Sequence, residues 1–317
     1  MVYHIIKRIN YEYYHYLVKN IRSGKNKWKR FEIYLGKGKR LRPSLKKIIK
    51  KKSAELDKKC DAYLRATDNF YSLLTSGQLS DLEKIKTAYI KKKKTASRIE
   101  LESYEEWFIT QFTYDTNAIE GSTLTKTETG MLLFERRVPK DKNLREIYEA
   151  ENHRKSYEYL KKYAGDINKK FVLKLHKIFL SNIWDEYAGR IRDVPVYIRG
   201  VDFIPPPPKR VEKELNELLK WYNKNKRKYN PIIIAAYFHS AFESIHPFVD
   251  GNGRVGRLLI NFILEKNNYP MISIHFEERD RYIACLKEAQ KGNLKQLVDL
   301  IFNCVKENKL LAPHSKK

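Results

Sequence analysis

Residues 246–257 read His-Pro-Phe-Val-Asp-Gly-Asn-Gly-Arg-Val-Gly-Arg. They lie between two apolar segments. Pro231 opens a helix-period run through Ile245, Pro247 stops it, and a second apolar run follows from Leu258 to Leu264. Between them, Asp250-Gly-Asn-Gly reads as a tight turn ending at a helix N-terminus. Gly251 and Gly253 carry no Cβ, so backbone N–H groups there can approach a ligand closely. N–H groups at the positive end of a helix make an anion site. Arg254 and Arg257, three residues apart, share one helical face. Two guanidiniums beside an anion nest suit a polyphosphate better than a lone carboxylate. Asp250 offers a hard oxygen to Mg²⁺, whose coordination phosphates then complete. His246, with an ordinary pKa near ~6.5, can accept a hydroxyl proton at neutral pH. Base, metal ligand, anion nest and two arginines describe phosphoryl or nucleotidyl transfer. Neither GxxxxGK[ST] nor GxGxxG is present, so this is not a Walker or kinase phosphate loop.

Outward from this loop, the chain from about residue 101 reads as nearly all helix. Helical periodicity covers 103–119, 125–135, 143–163, 168–180, 208–227, 231–245, 254–267, 278–291 and 294–308. The exception is 193–208, where Val194-Pro-Val-Tyr-Ile-Arg-Gly-Val-Asp-Phe-Ile alternates about Arg199-Gly200 and runs into four prolines. That predicts a short hairpin followed by a rigid extended segment. Upstream, Tyr11–Ile21 and Arg30–Leu35 alternate around a turn at Arg22-Ser-Gly-Lys-Asn-Lys and predict a β-hairpin. Pro43-Ser44 opens a helix carrying Leu45, Ile48, Ile49, Leu56, Tyr63 and Leu64. Ser80-Asp-Leu-Glu reads as the cap of a second helix crossing Lys91–Lys94.

The 317 residues carry 64 Lys+Arg against 38 Asp+Glu, a net charge of +26. Residues 1–100 hold 27 and 9 of these, or +18, so the excess is concentrated there. Such a field attracts polyanions, nucleic acid included, although a solvated lysine-rich helix face gives the same count. Hydrophobic residues at 42 % and aromatics at 13 % exclude a disordered chain. The longest apolar run, Pro231–Phe238, falls far short of the ~20 residues of a membrane span. The N-terminus has no signal-peptide core, which predicts a soluble cytoplasmic protein with no membrane partner. Cys60, Cys285 and Cys304 are odd in number and widely spaced, and read as idle or buried thiols. His239, seven residues before His246, reads as a hydrogen-bonded core histidine; His153 and His176 receive no role.

The stretch 246–257 resembles the signature of the Fic family, HxFx[D/E]GNGRxxR, at every fixed position. The resemblance implies a Fic-type helical bundle, mainly α, covering about residues 103–300. It implies that His246 deprotonates the target hydroxyl and that Asp250 holds Mg²⁺ (or Mn²⁺) between the α- and β-phosphates of ATP. It assigns the phosphate cradle to Asn252 and the backbone of Gly251 and Gly253, the β-phosphate to Arg254 and the γ-phosphate to Arg257. Asn261, one turn further on, matches a position that often contacts the nucleoside. The family's usual reaction moves AMP from ATP to a protein Ser, Thr or Tyr. Relatives that phosphorylate carry a Lys within the GNG element, and Gly253 is intact here.

Residues 116–121, Thr-Asn-Ala-Ile-Glu-Gly, match the family's inhibitory motif [S/T]xxxE[G/N] through Thr116, Glu120 and Gly121. This is the class II-like arrangement, with the motif on the N-terminal side. A helix of about 103–121 ending at Gly121 would present Glu120 to the phosphate pocket. The carboxylate would then pair bidentately with Arg257 and deny it to the γ-phosphate. Gly189 and Arg192 resemble a G-x-x-R element preceding the family's flap, which would be the hairpin at 193–206. The expected organisation is a basic N-terminal extension of a β-hairpin and helices (1–100), a Fic domain (101–308) and a tail (309–317). The expected function is an autoinhibited protein adenylyltransferase acting on an unidentified target or on itself. Net AMP removal and a nucleic-acid-associated regulator with a secondary Fic module are the alternatives. A homodimer is common among relatives with this arrangement.

Overall fold

The computed structural model describes residues 2–24, 27–39, 45–198, 203–308 and 310–311. The chain forms two compact units, Met1–Leu73 and Leu74–Lys317.

The first unit is a three-stranded antiparallel sheet, β1 (Tyr3–Ile9), β2 (Glu12–Gly24) and β3 (Lys27–Lys37), in the order β1-β2-β3, followed by α1 (Leu45–Thr67). The expected hairpin is β2–β3. β1 is an addition the sequence reading missed. It joins β2 through a two-residue turn in which Asn10 and Tyr11 both take positive φ (49° and 64°), the primed geometry that suits the strand twist. Asn-Tyr carries no glycine, so the turn gave no signal, and Tyr11 is a turn residue rather than the start of a strand. Leu17, Ile33 and Leu56 form the core between the sheet and α1. The Pro43-Ser44 start of that helix lies outside the described residues.

The second unit begins with α2 (Ser76–Thr95) and α3 (Arg98–Ile119). α2 starts before the expected Ser80 cap, because Thr75 and Gln78 form a reciprocal capping box. It belongs to this unit rather than to a 1–100 extension: Leu82 is fully buried, Gln78 donates to Asp299 (2.9 Å) and Tyr89 donates to Glu265 (2.7 Å). Then follow α4 (Lys126–Glu135), α5 (Leu144–Lys162), α6 (Lys169–Leu180), α7 (Pro208–Asn225), α8 (Pro231–Ile245), α9 (Asn252–Lys266), α10 (Arg279–Gln290) and α11 (Lys295–Lys306). These are the helices that the periodicity predicts. α9 is the centre: every residue from Arg254 to Leu264 is buried, with α3, α5, α6 and α8 around it. No described helix is long and apolar enough to cross a membrane. Residues 193–198 and 203–206 form no strand, so the expected flap hairpin is absent in its described part, and its tip at 199–202 lies outside the described residues. Pro195 and Pro205–Pro208 lack the N–H that a strand ladder needs.

Candidate active site

The 246–257 loop joins two deeply buried helices. α8 ends with His246 in the left-handed region (φ 47°), followed by Pro247, and α9 begins after Gly251 (φ 76°). Asn252 closes the loop on itself. Its Oδ1 accepts from Phe248 N and its Nδ2 donates to Phe248 O, both at 2.9 Å. Phe248 stacks on the ring of His176 at 3.7 Å. The Gly189 N–H donates to His176 Nδ1 (3.0 Å), so the ring proton sits on Nε2, which donates to Asp250 O (3.1 Å). Arg192 is buried and spends its fork on carbonyls. Nε donates to His246 O (2.7 Å), Nη1 to Val194 O (3.0 Å) and Nη2 to Pro206 O (2.6 Å). The G-x-x-R element therefore braces the loop from below through both of its fixed residues.

His246 Nδ1 lies 3.4 Å from Glu243 O. A carbonyl only accepts, so this contact places the ring proton on Nδ1 and leaves the Nε2 lone pair free. Burial pushes the pKa down to about 4, outweighing the Glu243 carbonyl. The ring is thus a neutral base at physiological pH.

Each motif arginine already has a carboxylate. Arg254 is buried over the Phe179 ring (4.5 Å) and pairs with Glu149 (2.9 Å) and Asp250 Oδ1 (3.1 Å). Arg145 on α5 reaches Glu149 with Nε (2.9 Å) and Asp250 Oδ2 with Nη2. The four residues close a ring of alternating charge. Burial alone would raise the Asp250 pKa, but Arg254, the Gly251 N–H and Arg145 hold it below the ordinary carboxylate range. Asp250 is therefore an ionised oxygen donor, and a single carboxylate plus substrate phosphates is a usual Mg²⁺ ligand set. The donor fits the metal, provided that the half-exposed Arg145 releases Oδ2.

Arg257, fully buried, donates Nε to Thr116 Oγ1 (2.6 Å) and Nη2 to both Thr116 O (3.0 Å) and Glu120 Oε1 (2.7 Å). The pairing with Glu120 is thus through one carboxylate oxygen, not the expected two, because Thr116 takes the Nε edge of the fork. Arg257 Nη1 lies 3.3 Å from Tyr282 Oη, and that hydroxyl bonds His239 Nε2 (2.6 Å). Since the phenol accepts from the arginine, it donates to His239, whose Nδ1–H faces Glu243 at 3.9 Å. Burial lifts the Glu243 pKa to about 8. Burial would also raise Glu120, but Arg257 and Arg254 outweigh it and keep it ionised.

Glu120 is placed by the end of α3. It is the C-cap, and Gly121 follows at φ 104°. Gly121 N donates to Ala118 O and Ser122 N to Asn117 O, both at 3.0 Å, the paired bonds of a Schellman end. The carboxylate comes to rest directly against Gly253, where an added Cβ would collide with Glu120 Oε1. No side chain caps the start of α9. Glu120 therefore lies where the positive end of α9 would receive an anion.

Two sequence expectations change. The Asn261 side chain is engaged within the fold: Nδ2 donates to Ile272 O (2.9 Å) and Oδ1 accepts from Ile272 N (2.8 Å), which pins the 269–275 segment. The Asn252 side chain likewise staples the loop through Phe248. His239 is the core histidine expected, and Cys60 and Cys285 are buried free thiols, with Cys304 partly so. Arg145, Glu149, Tyr282 and His176 were missed. Arg145 and Glu149 carried only the i,i+4 spacing of an ordinary surface pair.

Helix order, loop and ring of charges together define a Fic fold. Residues 166–264 match the Fic/DOC family. It is 30 % identical over 199 residues to "Protein adenylyltransferase Fic" of Nematostella vectensis, covering 61 % of this chain and 46 % of the relative. It is 33 % identical over 200 residues to "Protein adenylyltransferase fic-1" of Caenorhabditis elegans, covering 61 % and 39 %. The chain thus spans less than half the length of these curated relatives. A Fic-domain-containing signalling protein of Bacteroides thetaiotaomicron superposes with a TM-score of 0.66 at 25 % identity, covering 73 % of this chain and 95 % of that one. Residues 134–508 of C. elegans Fic-1 superpose with a TM-score of 0.65 at 27 % identity, covering 72 % and 69 %.

Proposed function

We propose that this protein transfers AMP from ATP to a hydroxyl of a protein target, or of itself, and that Glu120 holds the reaction down. The observation that carries the reading is the meeting of two motifs 137 residues apart at one guanidinium, Arg257 Nη2 to Glu120 Oε1. A bound Mg²⁺ would supply charge neutralisation to the phosphates from Asp250. The chain's own part begins with His246, whose free Nε2 takes the proton of the attacking hydroxyl. That oxygen forms a bond to the α-phosphorus, the bond to the β-phosphate bridge breaks, and pyrophosphate leaves. Arg254 and Arg257 bind the departing phosphates once Glu149 and Glu120 yield them. The N–H groups at the start of α9 add fixed positive charge there.

Glu120, lying over Gly253, occupies the space and the field meant for the terminal phosphate. ATP can then bind only in a pose that is not in line with the hydroxyl. The names of the relatives support the direction of transfer. The test is label retention on protein from ATP labelled at the α- or γ-phosphate, comparing wild type, Glu120→Gly and His246→Ala. Label from the α-phosphate alone, strong in Glu120→Gly and absent in His246→Ala, is the expected result. Label from the γ-phosphate would mean phosphorylation and would refute it.

A further inference from the structure

The sheet of the first unit has two faces. One is filled by α1: Leu17 and Ile33 pack on Leu56, Phe31 meets the Tyr63 ring at 5.5 Å, and Lys19 pairs with Asp57. The other is open. The register places Tyr3, Tyr14, Tyr16, Trp28 and Tyr34 on that side. Tyr34 sits between Tyr16 (5.5 Å) and Tyr14 (6.3 Å) and is 49 % exposed, while Trp28 is 67 % exposed. Lys7, Arg30 and Lys37 stand among the rings, with Lys7 4.7 Å over Tyr16 and Lys37 5.9 Å from Tyr14.

We propose that this open face binds single-stranded nucleic acid, with its rings stacking on unpaired bases and its cations contacting the phosphates. The rings alone would suit many partners, and charge selects among them. Residues 1–73 carry 20 Lys and Arg against 6 Asp and Glu, a net of +14. The two carboxylates on the face do not stand free: Glu32 holds Lys7 and Arg30, both at 2.6 Å, and Glu12 holds Lys37 at 2.5 Å. A polyanion with π-faces fits both features. Duplex bases are already stacked on one another and offer no face to these rings, which sets the single strand above the duplex. The proposal concerns only the first unit and stands apart from the transfer chemistry.

The experiment uses the full chain and fluorescence anisotropy with labelled 12-nucleotide single strands of DNA and RNA. A 12-base-pair duplex and heparin serve as competitors, at several salt concentrations. Tight single-strand binding with a steep salt slope is expected. Tyr34→Ala should weaken it about tenfold, as loss of one stacked base does, Trp28→Ala similarly, and Tyr34→Phe should retain it. Both positions are exposed, and an unchanged melting temperature checks that the variants fold. Preference for the duplex would overturn the proposal. So would Tyr34→Ala binding that equals wild type with heparin competing as well as the strand, which would mean bare polyanion attraction. Absence of binding at low salt would overturn it outright.

Discussion

Replacing Glu120 by Gly removes one charge-assisted hydrogen bond to a fully buried guanidinium at 2.7 Å. Such bonds are worth about 1.5–3 kcal/mol net, and the Glu120 side chain is 36 % exposed, so solvent screening favours the lower half of that range. About 1.5–2.2 kcal/mol that ATP must now overcome would be returned to binding. At about 1.4 kcal/mol per decade, ATP affinity or AMP transfer should rise about 10- to 40-fold. The variant should not collapse, because Arg257 keeps Thr116 and Tyr282 as acceptors. Glu120→Gln keeps an acceptor but no charge and should fall between the two. The assay is titration calorimetry with ATP and Mg²⁺, beside transfer of label from the α-phosphate. If Glu120→Gly equals wild type in both affinity and rate, while His246→Ala abolishes the wild-type signal, Glu120 is not a brake.

Arg145→Ala frees one oxygen of Asp250, and the exposed half of such a pair is worth about 0.2–1 kcal/mol. Mn²⁺ affinity, read by electron paramagnetic resonance with nucleotide present, should tighten up to about fivefold; weaker binding would place Arg145 on the phosphates instead. Arg192→Lys keeps the charge but cannot serve three carbonyls at 2.6–3.0 Å, and should cost about 2–4 kcal/mol of stability and most of the transfer activity. A lysine variant with wild-type melting temperature and rate would show that the loop stands without it. The acid limb of transfer by Glu120→Gly should follow the depressed His246 value of about 4 rather than ~6.5. A limb near ~6.5 would mean a solvated ring. Burial also lowers His153, His176 and His239, to about 3, 4 and 3. Because the unfolded chain protonates first, stability should be complete above pH ~6.5 and fall by about 1 kcal/mol per histidine over the first unit of acidification. Urea midpoints across that pH range would test this, and a flat profile would contradict it.

The helices from α3 to α8 were legible because each apolar stripe opens at a capping residue or a proline, and those from α9 to α11 by their apolar period. The loop was legible because its polar residues are spaced by backbone needs that few sequences meet. What escaped was of two kinds. β1 hid behind a turn made without glycine, whose geometry depends on how Asn10 and Tyr11 tolerate positive φ. The partners of the loop escaped because they are contacts across the fold. Nothing in the spacing of Arg145 distinguishes a surface pair from a hold on Asp250, and nothing beside Asn261 says that Ile272 takes both ends of its amide. Residue type set what could react; tertiary packing decided which polar groups were already engaged.

The collision at Gly253 ties two distant positions of the chain into one choice. While the Glu120 carboxylate stays in this position, a methyl group at 253 would collide with its Oε1. A homologous chain that acquires a side chain at 253 must shorten, turn aside or lose the acid at 120. The pair should therefore vary together across the lineage, so that aligned sequences alone would record which members keep the restraint.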